Sequence, residues 1–171
     1  MAECDEVISF QERAVCLRPL RSSDRALIVD LIARTDPHDL RMRFFGGFRE
    51  FPAALLDKLM RIEPERRITL VARRTGRCDE AEIVAVARAH VLADESAELG
   101  MLVRSDLKGL GLGSLLLGRL IARCRSRGLR LLVGEVLLEN ARMLRLAEKF
   151  GFRMQPGEPD TTHLVLDLIA A

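Results

Sequence analysis

Tryptophan and tyrosine are both missing from this 171-residue chain, and seven phenylalanines supply all of its aromatic surface. Without those rings the usual stacking platform for nucleic-acid bases is gone, and neither a zinc-finger spacing nor a dense basic tract replaces it. Lysine is scarce, at three residues (Lys58, Lys108 and Lys149), so nearly all of the 27 basic side chains are arginine. No apolar run approaches the roughly 20 residues that a membrane-spanning helix needs. The opening MAECDEVISF lacks the basic-then-apolar order of a signal peptide. These absences predict a cytoplasmic protein with neither membrane nor nucleic acid as partner. Cys4, Cys16, Cys78 and Cys124 stand singly with no CxxC pair, which predicts buried or idle thiols rather than a disulfide framework or a zinc site. His38, His90 and His163 show no metal-ligand spacing, so no metal is expected.

What is present is a chain 49% apolar and 30% charged, of a size for one domain over residues 1–171. The formal net charge of +2 hides an asymmetry: residues 104–153 carry eleven Lys or Arg against four Asp or Glu. That half attracts anions, and a small phosphorylated ligand suits it better than nucleic acid. Alternation at Val15–Arg18 predicts a first strand stopped by Pro19, with Ser22, Ser23 and Asp24 as N-caps for a helix over 25–34. Helical pieces follow over 39–45 and from Pro52 to near Ile62, with Phe44, Phe45, Phe48 and Phe51 clustered as core or as a lid over a groove. Strands over 68–73, 83–92 and 97–103, joined by turns at Thr75-Gly76 and Ala93-Asp94-Glu95, form an antiparallel meander. A leucine-faced helix from Gly111 to Arg127, a strand over 130–136, a helix over 140–150 and closing strands at Arg153 and 161–168 complete an α/β order, roughly β-α-α-β-β-β-α-β-α-β-β.

The informative stretch runs from Met101 through Lys108-Gly109-Leu110-Gly111-Leu112-Gly113-Ser114: a strand, a glycine-rich turn, then a helix. Glycines let backbone approach a ligand closely, and the unpaired N–H groups of a helix start face an anion. The dinucleotide fingerprint GxGxxG fails here because Gly109-x-Gly111 is followed by Ser114. The P-loop fails because the lysine precedes the glycines.

The Lys108–Gly113 block resembles the acyl-CoA-binding motif of the GNAT acetyltransferases, Gln/Arg-x-x-Gly-x-Gly/Ala, with Lys108 in place of the usual first residue. Asn140-Ala-Arg-Met143-Leu-Arg-Leu146-Ala147-Glu-Lys149-Phe150-Gly151-Phe152 resembles the family's Asn-x-x-Ala-x-x-Leu-Tyr-x-Lys-x-Gly-Phe helix, in the correct order. Val15–Pro19 with Asp24 resembles its first strand and helix. The resemblance implies the GNAT fold, a mixed and mostly antiparallel sheet splayed at the acyl-CoA-binding strand. It implies acetyl-CoA as acyl donor, with backbone of Met101, Leu102 and Val103 pairing with pantetheine. The loop of Lys108, Gly109, Leu110, Gly111, Leu112, Gly113 and Ser114 then binds the cofactor, with Gly109, Gly111, Gly113 and Ser114 at the pyrophosphate. Asn140 is either a cofactor contact or simply the helix N-cap.

The family's usual general acid is a tyrosine after Leu146; here that position is Ala147, so the thiolate leaves unaided or by another donor. An attacking ammonium must lose a proton, and Glu98, on the strand that carries the pantetheine, is the expected base. Partial burial is expected for it, and Gly100 beside it is expected to mark a bulge. Glu95 is the alternative. His90 and His163 are expected on strand faces, and Cys124 in the core rather than as an acyl carrier. The run Ala97-Glu98 to Val103-Arg-Ser-Asp-Leu-Lys-Gly109 and the Arg43-Phe44-Phe45 segment are similar to the bacterial Pat type of protein lysine acetyltransferase, in which the matching Glu is the base. A protein lysine, such as on an acyl-CoA synthetase, is therefore the leading acceptor. A small-molecule amine acceptor, or a CoA-sensing module without catalysis, are the alternatives.

Overall fold

A computed structural model describes residues 5–75 and 80–169. The first two strands are β1 (Glu6–Phe10) and β2 (Arg13–Pro19). Three helices follow: α1 (Arg25–Ala33), α2 (Pro37–Phe44) and α3 (Ala53–Met60). The meander is β3 (Arg67–Thr75), β4 (Ala81–Val91) and β5 (Ser96–Val103); then come α4 (Leu112–Ser126), β6 (Leu131–Leu137), α5 (Ala141–Lys149), β7 (Arg153–Pro156) and β8 (Thr161–Asp167). One eight-stranded sheet has the order β1-β2-β3-β4-β5-β6-β8-β7. All its neighbours are antiparallel except β5 and β6. This is the mixed, mostly antiparallel α/β fold expected from sequence.

Strand β1 is the addition. Its residues alternate half-buried and exposed, and its turn to β2 places Gln11 and Glu12 at φ 49° and 60°. Left-handed turn residues are normally Asn or Gly, so no turn signal marks this hairpin in the sequence. The Thr75-Gly76 turn lies partly outside the described residues. Cys16 is disulfide-bonded, which corrects the expectation of idle thiols throughout; single cysteines without a CxxC pair give no signal of such a bond in sequence.

Two apolar layers flank the sheet. Leu112, Leu116, Leu117 and Leu120 of α4 are fully buried against Ala85, Ala87 and Ala89 of β4, whose small side chains admit the leucine ridge. On the other face Ile28, Leu31 and Ile32 of α1 pack on Val71, Ile83 and Leu102, with Phe44 and Phe51 against them. Asp24 does not cap α1. Its carboxylate accepts two hydrogen bonds of 2.7 Å from the buried Arg18 guanidinium and one of 2.8 Å from the Arg21 N–H. Burial alone raises the Asp24 pKa, but those donors outweigh it and leave the carboxyl below its ordinary value.

The feature that positions the site is the end of pairing between β5 and β6. Ser96, Ala97 and Glu98 face Leu131, Leu132 and Val133, and beyond that the strands diverge. The β4–β5 ladder meanwhile continues unbroken from Val91↔Ala97 to Ala85↔Val103. The expected bulge at Gly100 is therefore absent; the irregularity of this sheet lies between Ala72 and Arg73.

Candidate active site

Backbone direction follows from one hydrogen bond. The Arg104 N–H donates to the Val84 carbonyl, and backbone groups alternate in direction along a strand, so the even residues of β5 point toward β4. Leu99, Met101 and Val103 then direct their N–H and C=O groups into the wedge where β6 has moved away. A row of backbone donors and acceptors without a strand to pair with is a docking edge for an extended polar chain.

The wedge opens into a cavity of about 520 Å³. Its walls include Leu99 to Val103 of β5, Gly134 to Val136 of β6, and the turn at Lys108, Gly109, Gly111, Gly113 and Ser114. Gly109 and Gly111 adopt φ of 75° and 94°, a region that a Cβ disfavours. The first helical bond of α4 runs from the Leu115 N–H to the Gly111 carbonyl, so the N–H groups of Leu112, Gly113 and Ser114 have no partner within the helix. They lie at the positive end of a 15-residue helix.

Of the residues expected at the cofactor, Met101, Leu102, Val103, Lys108, Gly109, Gly111, Gly113, Ser114 and Asn140 line this cavity. The side chains of Leu110 and Leu112 do not: Leu112 is fully buried in the core and Leu110 projects outward, 48% exposed. Lys108 forms an ion pair of 2.7 Å with Asp39 of α2, and Asp39 also accepts from the Ser105 hydroxyl at 2.6 Å. Burial raises the Asp39 pKa, but Lys108 and Ser105 prevail and hold the carboxyl low. Arg41 pairs with Glu139 before α5, so α2 bridges the two walls of the wedge. Asn140 caps α5, accepting from the Met143 N–H at 3.2 Å, while its position also faces the cavity.

Sequence reading missed Arg142 and Arg145, exposed cations on α5 that line the cavity without a recorded ion pair among the described residues. The basic surplus of residues 104–153 was their only signal. Glu135 of β6 also lines the cavity, accepting from the Thr161 hydroxyl at 2.8 Å.

Glu98 is exposed, against the expected partial burial, and does not line the cavity. It lies at the last paired position of β5, opposite His90 of β4. Glu95 sits in the preceding turn, exposed and 3.9 Å from Arg130, away from the wedge. His90 and His163 occupy strands, as expected. The Cys124 thiol is fully buried, and burial pushes its pKa up to about 11, so it is no nucleophile. No group of three or more His, Cys, Asp or Glu suited to holding a metal ion occurs among the described residues. No described helix is long and apolar enough to cross a membrane.

Known proteins match this architecture. The Acetyltransferase (GNAT) family is matched over residues 35–152. An acetyltransferase of Pseudomonas aeruginosa is 31% identical over 154 residues, covering 90% of this chain and 82% of that protein. The GNAT domain of S. lividans PAT superposes with a TM-score of 0.83 at 21% identity, covering 95% of this chain and 96% of that one. The yncA protein of Salmonella typhimurium, solved with its cofactor acetyl-CoA, does so at 0.69 and 21%, covering 90% and 94%. Family and relative agree with the unpaired strand edge and the glycine turn: the chain belongs to the GNAT acetyltransferase family and is an N-acetyltransferase.

Proposed function

We propose that this chain, acting as one unit over residues 1–171, transfers the acetyl group of acetyl-CoA to the side-chain amine of a protein lysine, with Glu98 as general base. The observation that carries the reading is the arrangement of β5. Its edge toward β6 offers unpaired backbone groups at Leu99, Met101 and Val103, and Glu98 immediately precedes them, at the last pair with β6 where the wedge begins.

The residues fit the donor at both ends. Pantetheine is a thin chain of amides, matched by backbone groups on the β5 edge. Its pyrophosphate is an anion, matched by the N–H groups of Leu112, Gly113 and Ser114 and by Arg142 and Arg145. In the reaction Glu98 takes a proton from the lysine ammonium, directly or through one water. The freed nitrogen attacks the thioester carbonyl, a C–N bond forms, the C–S bond breaks, the sulfur departs as thiolate, and the nitrogen releases its second proton to water to leave a neutral amide. Backbone N–H groups at the wedge stabilise the negative oxygen between those events. With no tyrosine in the chain, the thiolate is protonated after departure. The likeness to the GNAT domain of S. lividans PAT and the Arg43-Phe44-Phe45 segment support lysine as acceptor. An acyl-CoA synthetase is the first protein to try.

The test is mass spectrometry of cell-lysate proteins after incubation with the enzyme and acetyl-CoA. Lysine acetylation dependent on the enzyme and lost in Glu98→Gln is expected. Labelling no stronger than that given by the Glu98→Gln protein would overturn the reading.

A further inference from the structure

Arg43 on α2 lies at the junction of the wedge and the apolar layer beneath α1, and lines both spaces. Its guanidinium covers Gly100 of β5 so closely that a Cβ there would collide with it, which explains the glycine where no bulge exists. The group also stacks 4.8 Å from the centre of the Phe44 ring. Half-buried as it is, Arg43 makes no hydrogen bond and no ion pair among the described residues. Burial lowers its pKa, and the charge of Glu98 opposes that fall without forming a contact pair.

Its neighbours on the same face are differently placed. Arg88, opposite Gly100 on β4, donates to the carbonyls of Lys58 and Leu59 at the end of α3 and to the Thr69 hydroxyl. Arg67 is tied to Glu63 at 2.8 Å. Those guanidiniums are spent on the fold. Arg43 is the guanidinium on this face whose donors remain open among the described residues, and a half-buried guanidinium at the edge of a cavity is a ready partner for an arriving anion.

Glu98 and Gly100 are two residues apart on one strand face, about 6.6 Å along the chain. An acceptor nitrogen brought to Glu98 therefore sits within reach of Arg43 for any carboxylate attached nearby. We infer that Arg43 is a specificity-determining residue that binds a carboxylate neighbouring the acceptor amine, so that the preferred acceptor is a lysine flanked by an acidic residue. This rests on the lysine reading above and sharpens it. The planar fork of an arginine suits bidentate capture of a carboxylate, which a lysine at position 43 would not reproduce.

The experiment compares two peptides that differ only in Asp or Asn beside the lysine, in steady-state kinetics with acetyl-CoA. Wild-type protein is expected to favour the Asp peptide in kcat/KM by on the order of tenfold, the worth of a charge-assisted hydrogen-bonded pair. Arg43→Gln should reduce that preference to within about twofold, and Arg43→Lys should keep only part of it. Gly100→Ala retains the arginine but displaces it, and should also erode the preference. A folding defect lowers both peptides together, so their ratio is the readout. Equal use of both peptides by wild type, or a preference that survives Arg43→Gln, overturns the role of Arg43 while leaving the lysine reading intact. If neither peptide is acetylated but free α-amino acids are, the lysine reading fails. Arg43 is then judged on those acceptors: a raised KM in Arg43→Gln supports carboxylate capture, and an unchanged KM overturns it.

Discussion

The two sides of β5 are built on opposite terms. Toward β4 every strand is paired, and buried charges in that region have partners: Arg18 with Asp24, Glu82 with Arg74 at 2.6 Å and Arg104 at 2.7 Å, and Arg88 with backbone carbonyls. Toward β6 the ladder stops after three residue pairs, leaving backbone groups, helix-start N–H groups and several arginines without partners. One side spends its polar groups on the fold, and the other keeps them for ligands. Substitutions on the paired side should therefore damage stability, and those at the wedge should damage binding or turnover.

The strongest way to break this contrast is at Glu98. Glu98→Gln keeps the shape and removes the proton acceptor, so kcat should fall by roughly 10² to 10⁴ with little change in stability or in acetyl-CoA affinity. A variant keeping more than about a third of wild-type kcat would exclude Glu98 as base.

The paired side is tested at Asp24. Asp24→Ala leaves the buried Arg18 cation without its anion and should cost about 3–5 kcal/mol in urea denaturation. The same pair sets an acid limit. With the folded-state pKa of Asp24 depressed, its stabilisation is complete above the ordinary carboxylate value of about 4 and is lost as pH falls through the lower folded value. Wild-type stability should decline in that acid window, and Asp24→Ala should flatten the decline.

A smaller effect is expected at Gly111. Gly111→Glu places bulk and negative charge at the turn proposed to hold the pyrophosphate and should weaken acetyl-CoA binding by at least tenfold, about 1.4 kcal/mol, in calorimetry. Because φ is 94° there, any side chain adds strain. Gly111→Ala supplies that strain alone and should bind better than Gly111→Glu. The mildest change is at Phe48, whose ring meets Phe44 and Phe51 edge-on at 6.3 and 5.4 Å. Phe48→Ala should cost about 1 kcal/mol of stability and leave acceptor KM unchanged; a raised KM with normal stability would move this cluster from core to lid.

The wedge side was the more legible in sequence, because its chemistry is local. A strand, a glycine turn and a leucine-faced helix are consecutive, and their periodicities announce them; the observed β5 and α4 begin and end within a residue or two of their expected limits. The paired side depends on contacts between distant segments. Nothing adjacent to Asp24 reveals that Arg18, rather than the start of α1, takes its carboxylate. Nothing near Gly100 reveals that the Arg43 guanidinium lies over it. Lys108 was legible as a cation at the turn, but its attachment to Asp39 joins elements far apart in sequence.

Strand ends and edges are also where sheets stick to one another. The outer edge strand β7 is short, exposed at each residue and ends in Pro156, so it offers little to a second molecule. The edge of β5 inside the wedge has no proline and no inward charge to protect it. Its protection is position inside the sheet. At the base of the wedge a Cβ on Gly134 would already lie 3.7 Å from the Leu99 side chain. The adhesive edge thus opens onto an internal cavity between β5, β6 and the turn before α4, away from the rim of the sheet where another molecule's strand would add.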